Sequence, residues 1–433
     1  MAAASTVSAL SNSIKIHYSN EFMENHQNTN SKLRTKLQTV KNVKQNGKTF
    51  DWEFYLQSPQ VVGTPNDGAA VPTPSARVSV AGSVTVAQFV GGFSITPLAE
   101  ALATQSGSWN GGEVKRSIKE AVTDVTKHMN RLYSGTHGTG RLAQVNAATS
   151  ASASFVAKLP IGSLLLRPNM IVGAYIDDTG TGAVRDSLTA IKISKVVPST
   201  RTVTLASGTY TLVANDHIYI HGSYGGTRVP NGLAGIVDDG TNLTSIHGQS
   251  RSTYDELKSV VLSAGGNLRD LTEDHLITLC HLINQKSGMY PDLIVWNSGQ
   301  LAKYFKNIRA DRRLNVTGGD VPGYNSGYKK DPTLFVGGQA VQSLCSEDVS
   351  PRTVYALNTS QLRIIQSIPL EWMDWGGTIF QQTVESGGGY SLGKQATLLG
   401  AENLATYLPA AHGRIDDLSD PELCGSFVGD TDL

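Results

Sequence analysis

One helical period stands out in a chain that otherwise alternates. Between Glu113 and Ser134, apolar side chains recur at Val114, Ile118, Val122, Val125, Met129 and Leu132, at spacings of four, four, three, four and three. That spacing gathers them on one stripe of an α-helix. Asn110 and a glycine pair precede the pattern and Gly135 follows it as a stop signal. At 1.5 Å per residue the helix is roughly 33 Å long. A single stripe has one face to bury, so the helix must lie on a sheet that the rest of the chain supplies.

The sheet-forming segments come in three kinds. "FDWEFYLQSP" and "ARVSVAGSVTVAQFVGGFSIT" alternate with period two on either side of a Pro- and Gly-containing stretch from Pro59 to Pro74. They read as two long antiparallel strands joined by an irregular tip. Such a ribbon is marginal alone and needs another chain or domain to lie on. Ahead of it, residues 1–49 hold no sustained apolar period. They carry Lys32, Arg34, Lys36, Lys41, Lys44 and Lys48 with no acidic residue among them, an extended arm that is either a solvated tail or a pairing element for a neighbour's acidic surface.

Residues 151–222 supply the second kind: "SFVAKLP", "MIVGAYID", "TAIKISKVV", "RTVTLAS" and "DHIYIHG", short alternating runs separated by turn residues. Five or six strands at this spacing predict a small barrel or sandwich inserted into the parent fold. From about 225 to 365 the chain turns mixed α/β. "STYDELKSVVLSAGG" predicts a helix with a capping box of Thr253 and Glu256, ending at Gly265 and Gly266. "LTEDHLITLCHLINQKSG" is a second helix, and strands follow at "LIVW", "TLFVGG", "TVYALN" and "LRIIQS". "TIFQQTVESGGGYSLGKQATLLGAENLATYLPA" reads as mostly strand, and Arg414 to Leu433 as an acidic tail without pattern.

Five stretches hold residue types that could carry chemistry. Asp178-Thr179-Gly180-Thr181 matches the aspartic-protease signature, but that mechanism takes two carboxylates sharing a proton and the chain holds no second Asp-Thr-Gly. Between short strands these residues are turn formers. "GQSRS" around Ser250 lacks the closing glycine of a nucleophile elbow and reads as a polar loop ending in a helix cap. "GTHGTG" and "GGGYSLG" have no Walker lysine and read as hinges. His275 and His281 are six apart on one helix, whereas a metal-binding pair needs a spacing of four.

The fifth place is "LIVWNSGQLAKYF", a strand-to-helix step of the kind that can hold phosphate. It has one glycine, Gly299, and its Lys303 comes a turn too late; Asn297 or Ser298 serves as N-cap, and Leu301, Phe305 and Ile308 make an apolar stripe. Trp296 is read as core at the step. No catalytic, cofactor-binding or metal-binding residue is assigned, and an enzyme is not expected.

Composition sharpens the reading. Lys plus Arg and Asp plus Glu are both 36, for a formal net charge of zero, and charged residues are 17% against about 25% in an average chain. Low self-repulsion favours association and argues against tight nucleic-acid binding, which needs clustered cations. Cys280, Cys345 and Cys424 form no CxxC spacing, so a reducing, non-secreted setting without zinc is expected. The longest apolar stretch, "IGSLLLRPNMIVGAYI", is broken by Arg167 and Pro168 and is shorter than the roughly 20 residues of a membrane span, which points to a soluble chain.

The order of parts resembles the major capsid protein of tailed bacteriophages, the Hong Kong 97-type capsid fold. The parts that carry the likeness are the arm, the two-stranded loop, the spine helix, "VPNGLAGI" at Val229 to Ile236, the strand-"WN"-helix step, "RTVYALNTSQLRI" and the following Trp372. The resemblance implies an α+β fold: an N-terminal arm (1–49), an extended hairpin loop (50–97), a peripheral domain with the spine helix (98–144 and 366–413), a β-rich insertion (145–223), an apical α/β domain (224–365) and a C-terminal tail (414–433). It implies self-assembly through hexamers and pentamers into an icosahedral shell around double-stranded DNA. Scaffolding, portal and decoration proteins would be partners, assembly would be in the host cytoplasm, and membranes would play no part. An encapsulin-like nanocompartment and an α/β hydrolase built on 225–365 are the alternatives.

Overall fold

The computed structural model describes residues 32–40, 45–46, 49–58, 64, 66–67, 73, 76–96, 113–134, 140–177, 182–224, 229–309, 334–373, 380–384 and 390–420. The chain divides into two compact units, one made of residues 1–31, 87–130 and 366–402, the other of 32–86, 131–365 and 403–433.

In the first unit, Ala87–Ile95 runs antiparallel to the long strand Tyr390–Thr406, with Gly92 opposite Thr397, and Phe380–Val384 also pairs antiparallel with that strand. The helix Glu113–Ser134 contributes residues 113–130 here and lies on the sheet, as its single stripe requires. A Cβ on Gly91 would come within 2.2 Å of Val125 Cγ2, so a side chain there would lift the helix off the strand. Phe93 and Trp372 meet edge to face at 5.8 Å.

The second unit holds a barrel, an α/β layer and a ribbon. The barrel orders its strands Ala143–Gln144, His217–Ile220, Ile171–Tyr175, Ile191–Val197, Thr202–Leu205 and Ser154–Val156. All neighbours are antiparallel, and Val145 bridges to Ala157 to bring the last strand back to the first. The barrel therefore closes, with Phe155, Val172, Ile193, Val203 and Ile218 in its core. The short helix Pro160–Leu165 adds Ile161 and Leu165 to that core, and Gly162 lets it approach, since a Cβ there would sit 2.9 Å from that of Ala143. The first strand lies two residues ahead of the expected insertion boundary at 145, because closure recruits it.

The α/β layer orders Val260–Leu262, Gly413–Ile415, Val354–Leu357, Leu293–Trp296, Gln339–Cys345 and Leu334–Val336. Helices Glu273–Ser287 and Ser298–Arg309 share one core with this sheet through Leu276, Leu279, Ile283, Leu301 and Tyr304. Gly413 is small because a Cβ would strike the Cδ1 atoms of Leu279 and Ile283 at 2.8 Å. Two expectations fail here. The capping-box helix from Thr253 is a single 3-10 turn, Asp255–Leu257, followed by the strand Val260–Leu262: two consecutive valines and a parallel partner at 413–415 override the cap. Arg414 to Asp420 is no patternless tail, since 413–415 is an interior strand between 260–262 and 354–357.

In the ribbon, Thr49–Gln57 pairs with Val78–Thr85, Phe50 opposite Val84 and Phe54 opposite Val80. The expected second limb is shorter than the sequence implied: it breaks at Val86, and Ala87–Ile95 belongs to the first unit. Nor does the ribbon's foot need a neighbour. Phe50 packs with Val84, Ile365 and Ala405, and Phe54 with Ile246 and Leu257. Gly82 leaves room for the rings, a Cβ there meeting Phe54 Cε2 at 2.5 Å. Part of the arm is likewise fixed. Lys32–Lys36 is one helical turn with Leu33 and Leu37 buried, and Gln38–Val40 pairs in parallel with Arg363 to Ile365. The interval Leu33 to Leu37 is the helical spacing that the cationic residues around it obscured.

Candidate functional site

The strand-to-helix step at Trp296 is filled, as a structural reading requires. Trp296 is 2% exposed, packs against Tyr304 with ring centroids 5.4 Å apart, and donates from Nε1 to Ser343 Oγ at 2.7 Å. Asn297, not Ser298, is the cap: its Oδ1 accepts from Gly299 N at 2.9 Å while its Nδ2 donates to Val349 O at 3.0 Å. Asn297 is fully buried, so the turn offers no open amide cradle for an anion. Lys303 pairs with Asp270 at 2.8 Å, away from the turn.

Of the other candidates, residues 178–181, 135–139 and 385–389, and with them the Asp-Thr-Gly-Thr stretch, most of "GTHGTG" and the three leading glycines of "GGGYSLG", lie outside the described residues. Ser250 ends a two-stranded hairpin, Ser245–Ile246 with Gln249–Ser250, instead of preceding a helix cap, and its Oγ bonds Ser252 Oγ at 2.8 Å. His275 is the third residue of a capping box on Thr272, and His281 meets Tyr290. Among the described residues no group of three or more His, Cys, Asp or Glu is placed to hold a metal ion, and no helix is long and apolar enough to cross a membrane.

What the fold does assemble is a buried ionic node. Asp238 Oδ2 accepts from the backbone N–H groups of Gly240, Asn242 and Leu243 at 3.0 Å each and from Arg251 Nη1 at 3.3 Å. Arg251 is fully buried and also donates to the carbonyls of Gly235, Ile236 and Leu243 at 2.8 Å. Arg414 adds bonds to Ala234 O and Val237 O, an Asp416 pair at 2.7 Å and an ion contact of 2.9 Å to Asp238 Oδ1. Burial pushes the Arg251 guanidinium down to about 10, with Asp238 opposing and Arg414 adding to the shift. The node thus closes the carbonyl end of the short helix Leu233–Ile236, the heart of "VPNGLAGI", onto the sheet. Sequence reasoning missed it: Asp238 looks like a turn residue, and neither arginine carries a local signal of burial.

A half-open cleft of about 460 Å³ lies between the barrel, at Arg141 and Gln144, and the sheet ends, at Arg352 and Asp416. Its charges are spoken for within the chain: Arg352 bonds Asp420 at 2.7 Å, and Arg414 bonds Asp416. The arrangement suits holding one module against another more than acting on a substrate.

No protein-family model matches the sequence, and no curated protein matches it. Solved structures do. The chain is similar to one in the "Cyanophage A-1(L) capsid asymmetric unit" at 13% identity and a TM-score of 0.56, over 96% of this chain and 98% of that one. A chain of the "Capsid of empty GTA particle" aligns at 8% identity and a TM-score of 0.48, over 93% and 94%. The holo-SrpI encapsulin from Synechococcus elongatus PCC 7942 aligns at 8% identity and 0.43, over 96% and 97%. The first of these establishes the fold: α+β, that of a phage capsid chain, over 96% of the length.

Proposed function

We propose that this chain is a major capsid protein, the subunit of an icosahedral shell that encloses the double-stranded DNA of a tailed phage. The observation that carries the reading is the fold shared with the cyanophage capsid chain along nearly the full length of both. A fold alone does not dictate a function, but this one is shared over 96% of the chain and 98% of its capsid counterpart. In this reading the first unit is the peripheral domain, the α/β layer the apical domain and the barrel an insertion. Copies join as hexamers and pentamers of the Hong Kong 97 type, with scaffolding, portal and decoration proteins as partners. The virion capsid is its destination, reached by assembly in the host cytoplasm. Zero net charge suits a container that must hold DNA without gripping it.

Negative-stain microscopy and sedimentation of the purified full chain test this. Closed shells of phage size are the expected result. Small cages would transfer the protein to the encapsulin-like class, and a monomer at every concentration and salt would overturn the shell reading.

A further inference from the structure

The foot of the ribbon is fastened by two buried histidines that converge on one threonine. His247 sits at the tip of the 245–250 hairpin with φ 49, and its carbonyl accepts from Ser83 N at 2.9 Å on one ribbon limb. Its ring lies edge to face with Trp52 at 4.9 Å and stacks with Phe54 at 6.2 Å on the other limb. Its Nε2 accepts the backbone N–H of Thr406 at 3.2 Å. His412 faces the same residue: its Nε2 is 2.9 Å from Thr406 Oγ1, and its Nδ1 accepts the N–H of Asn358 at 3.2 Å.

Each ring therefore accepts a hydrogen bond from a backbone N–H that cannot turn away. The neutral tautomers follow: His247 carries its proton on Nδ1, and His412 carries its own on Nε2, donating to Thr406 Oγ1. A second proton on either ring must sit on the accepting nitrogen, opposite an N–H: on His247 it removes the bond to Thr406, and on His412 it removes the bond to Asn358 that holds the ring against Thr406, so His412 acts on the ribbon's foot only through Thr406. Among the described residues no carboxylate acts on either ring. The charge that bears on His247 is Arg251, which repels a cation, and His412 has burial alone acting against its charged form. Both are held neutral, at about 3.

The geometry points to an acid-sensitive latch: His247, Thr406 and His412 together pin the ribbon's foot to the end of the long return strand and release it when the rings take up protons. The sign follows from burial. The closed form binds protons only far below the ordinary histidine range near 6.5 and the open form binds them at it, so the latch is strong above about pH 6.5 and weakens as pH falls toward 3. Each ring adds about tenfold to the opening constant per pH unit, hence about a hundredfold per unit for both between about pH 6 and 4.

Hydrogen exchange on the full chain, corrected for the intrinsic rate at each pH, reads this directly. Peptides from Thr49–Gln57 and Val78–Thr85 are expected to lose protection at about a hundredfold per pH unit while the strand Leu293–Trp296 and the barrel strands keep theirs. His247→Gln or His412→Gln, each keeping an acceptor, should cut the slope to about tenfold, and the double variant should flatten it. Ribbon peptides that stay protected down to pH 4, or that open together with 293–296 at the same slope, would overturn the latch. The wild-type contrast decides even where a variant fails to fold.

Discussion

The barrel and the ribbon are both antiparallel β-structure from one chain, and they solve the edge problem in opposite ways. In the barrel, the Val145–Ala157 bridge joins the last strand to the first, and most apolar side chains turn inward to a core of its own, with Ile171, Ile176 and Val213 left exposed on the outside. Closure removes the open strand edges at which another chain could pair. The ribbon has a foot sunk into the chain by Phe50 and Phe54, but further along, Tyr55 is half exposed and Val78 is exposed too. Self-sufficiency is thus concentrated in one module, while the other ends in surface its own chain leaves uncovered. That division suits the proposed shell subunit, in which a module folds alone and an extension would be completed by copies.

The sharpest break of the comparison is to excise the barrel. Residues 141–223 are expected to fold alone with a cooperative thermal transition, because all six strands and the core come along. A fragment starting at 145 lacks Ala143–Gln144, the strand that pairs with His217–Ile220, and should show no transition. Far-ultraviolet circular dichroism and calorimetry on the two fragments check this. Equal melting of both would mean that closure contributes little and that the contrast with the ribbon is one of degree.

Next in size is the node beneath the ribbon's seat. Arg251→Ala removes one of the two guanidinium partners of the buried Asp238 carboxylate, which keeps Arg414 at 2.9 Å, so the cost should fall below the roughly 3 to 5 kcal/mol of a buried charge left without any partner. Because Arg251 follows directly on the 245–250 hairpin, the loss should fall on the α/β layer and the ribbon's foot and spare the barrel. Chemical denaturation followed by Trp fluorescence gives the total, and exchange of barrel peptides shows whether the loss is local. A barrel that unfolds with the rest would erase the distinction between the modules.

How far the sequence alone foretold this depended on whether the deciding interaction was local. The helix Glu113–Ser134 and the step from Leu293 through Trp296 to Asn297 were legible because a stripe and a cap are written within a turn or two. The barrel's strands were legible as alternation, though a sandwich was equally open until Val145 met Ala157, a pairing no local pattern announces. Thr253 and Glu256 form a sound cap signal that lost to Val260 and Val261, whose partner lies more than a hundred residues on at 413–415. Arg414 read as part of a polar tail for the same reason, its burial being set by Asp238 and Asp416. The histidine pair at Thr406 left no trace at all, since both rings draw their roles from distant backbone amides.

The smallest expected effect tests the exposed end of the ribbon. Arg77 stands 4.7 Å over the Tyr55 ring and pairs with Glu53 at 2.8 Å, yet Arg77 and Glu53 are 51% and 54% exposed. Water screens such a pair and its side chains lose entropy by holding one pose, so the net contribution is about 0 to 1 kcal/mol, the ring contact adding at most a similar amount. Arg77→Ala should accordingly leave the melting temperature of the free chain almost unchanged. If the outer ribbon is the surface that copies complete, the same variant should lower the yield of assembled shells, because a cation and the ring beneath it are lost where only a neighbour can shield them from water. Melting temperature and sedimentation on one preparation separate the two. A clear drop in stability would show that the outer ribbon is held by its own chain after all, and unchanged stability with unchanged yield would remove this pair from the assembly surface.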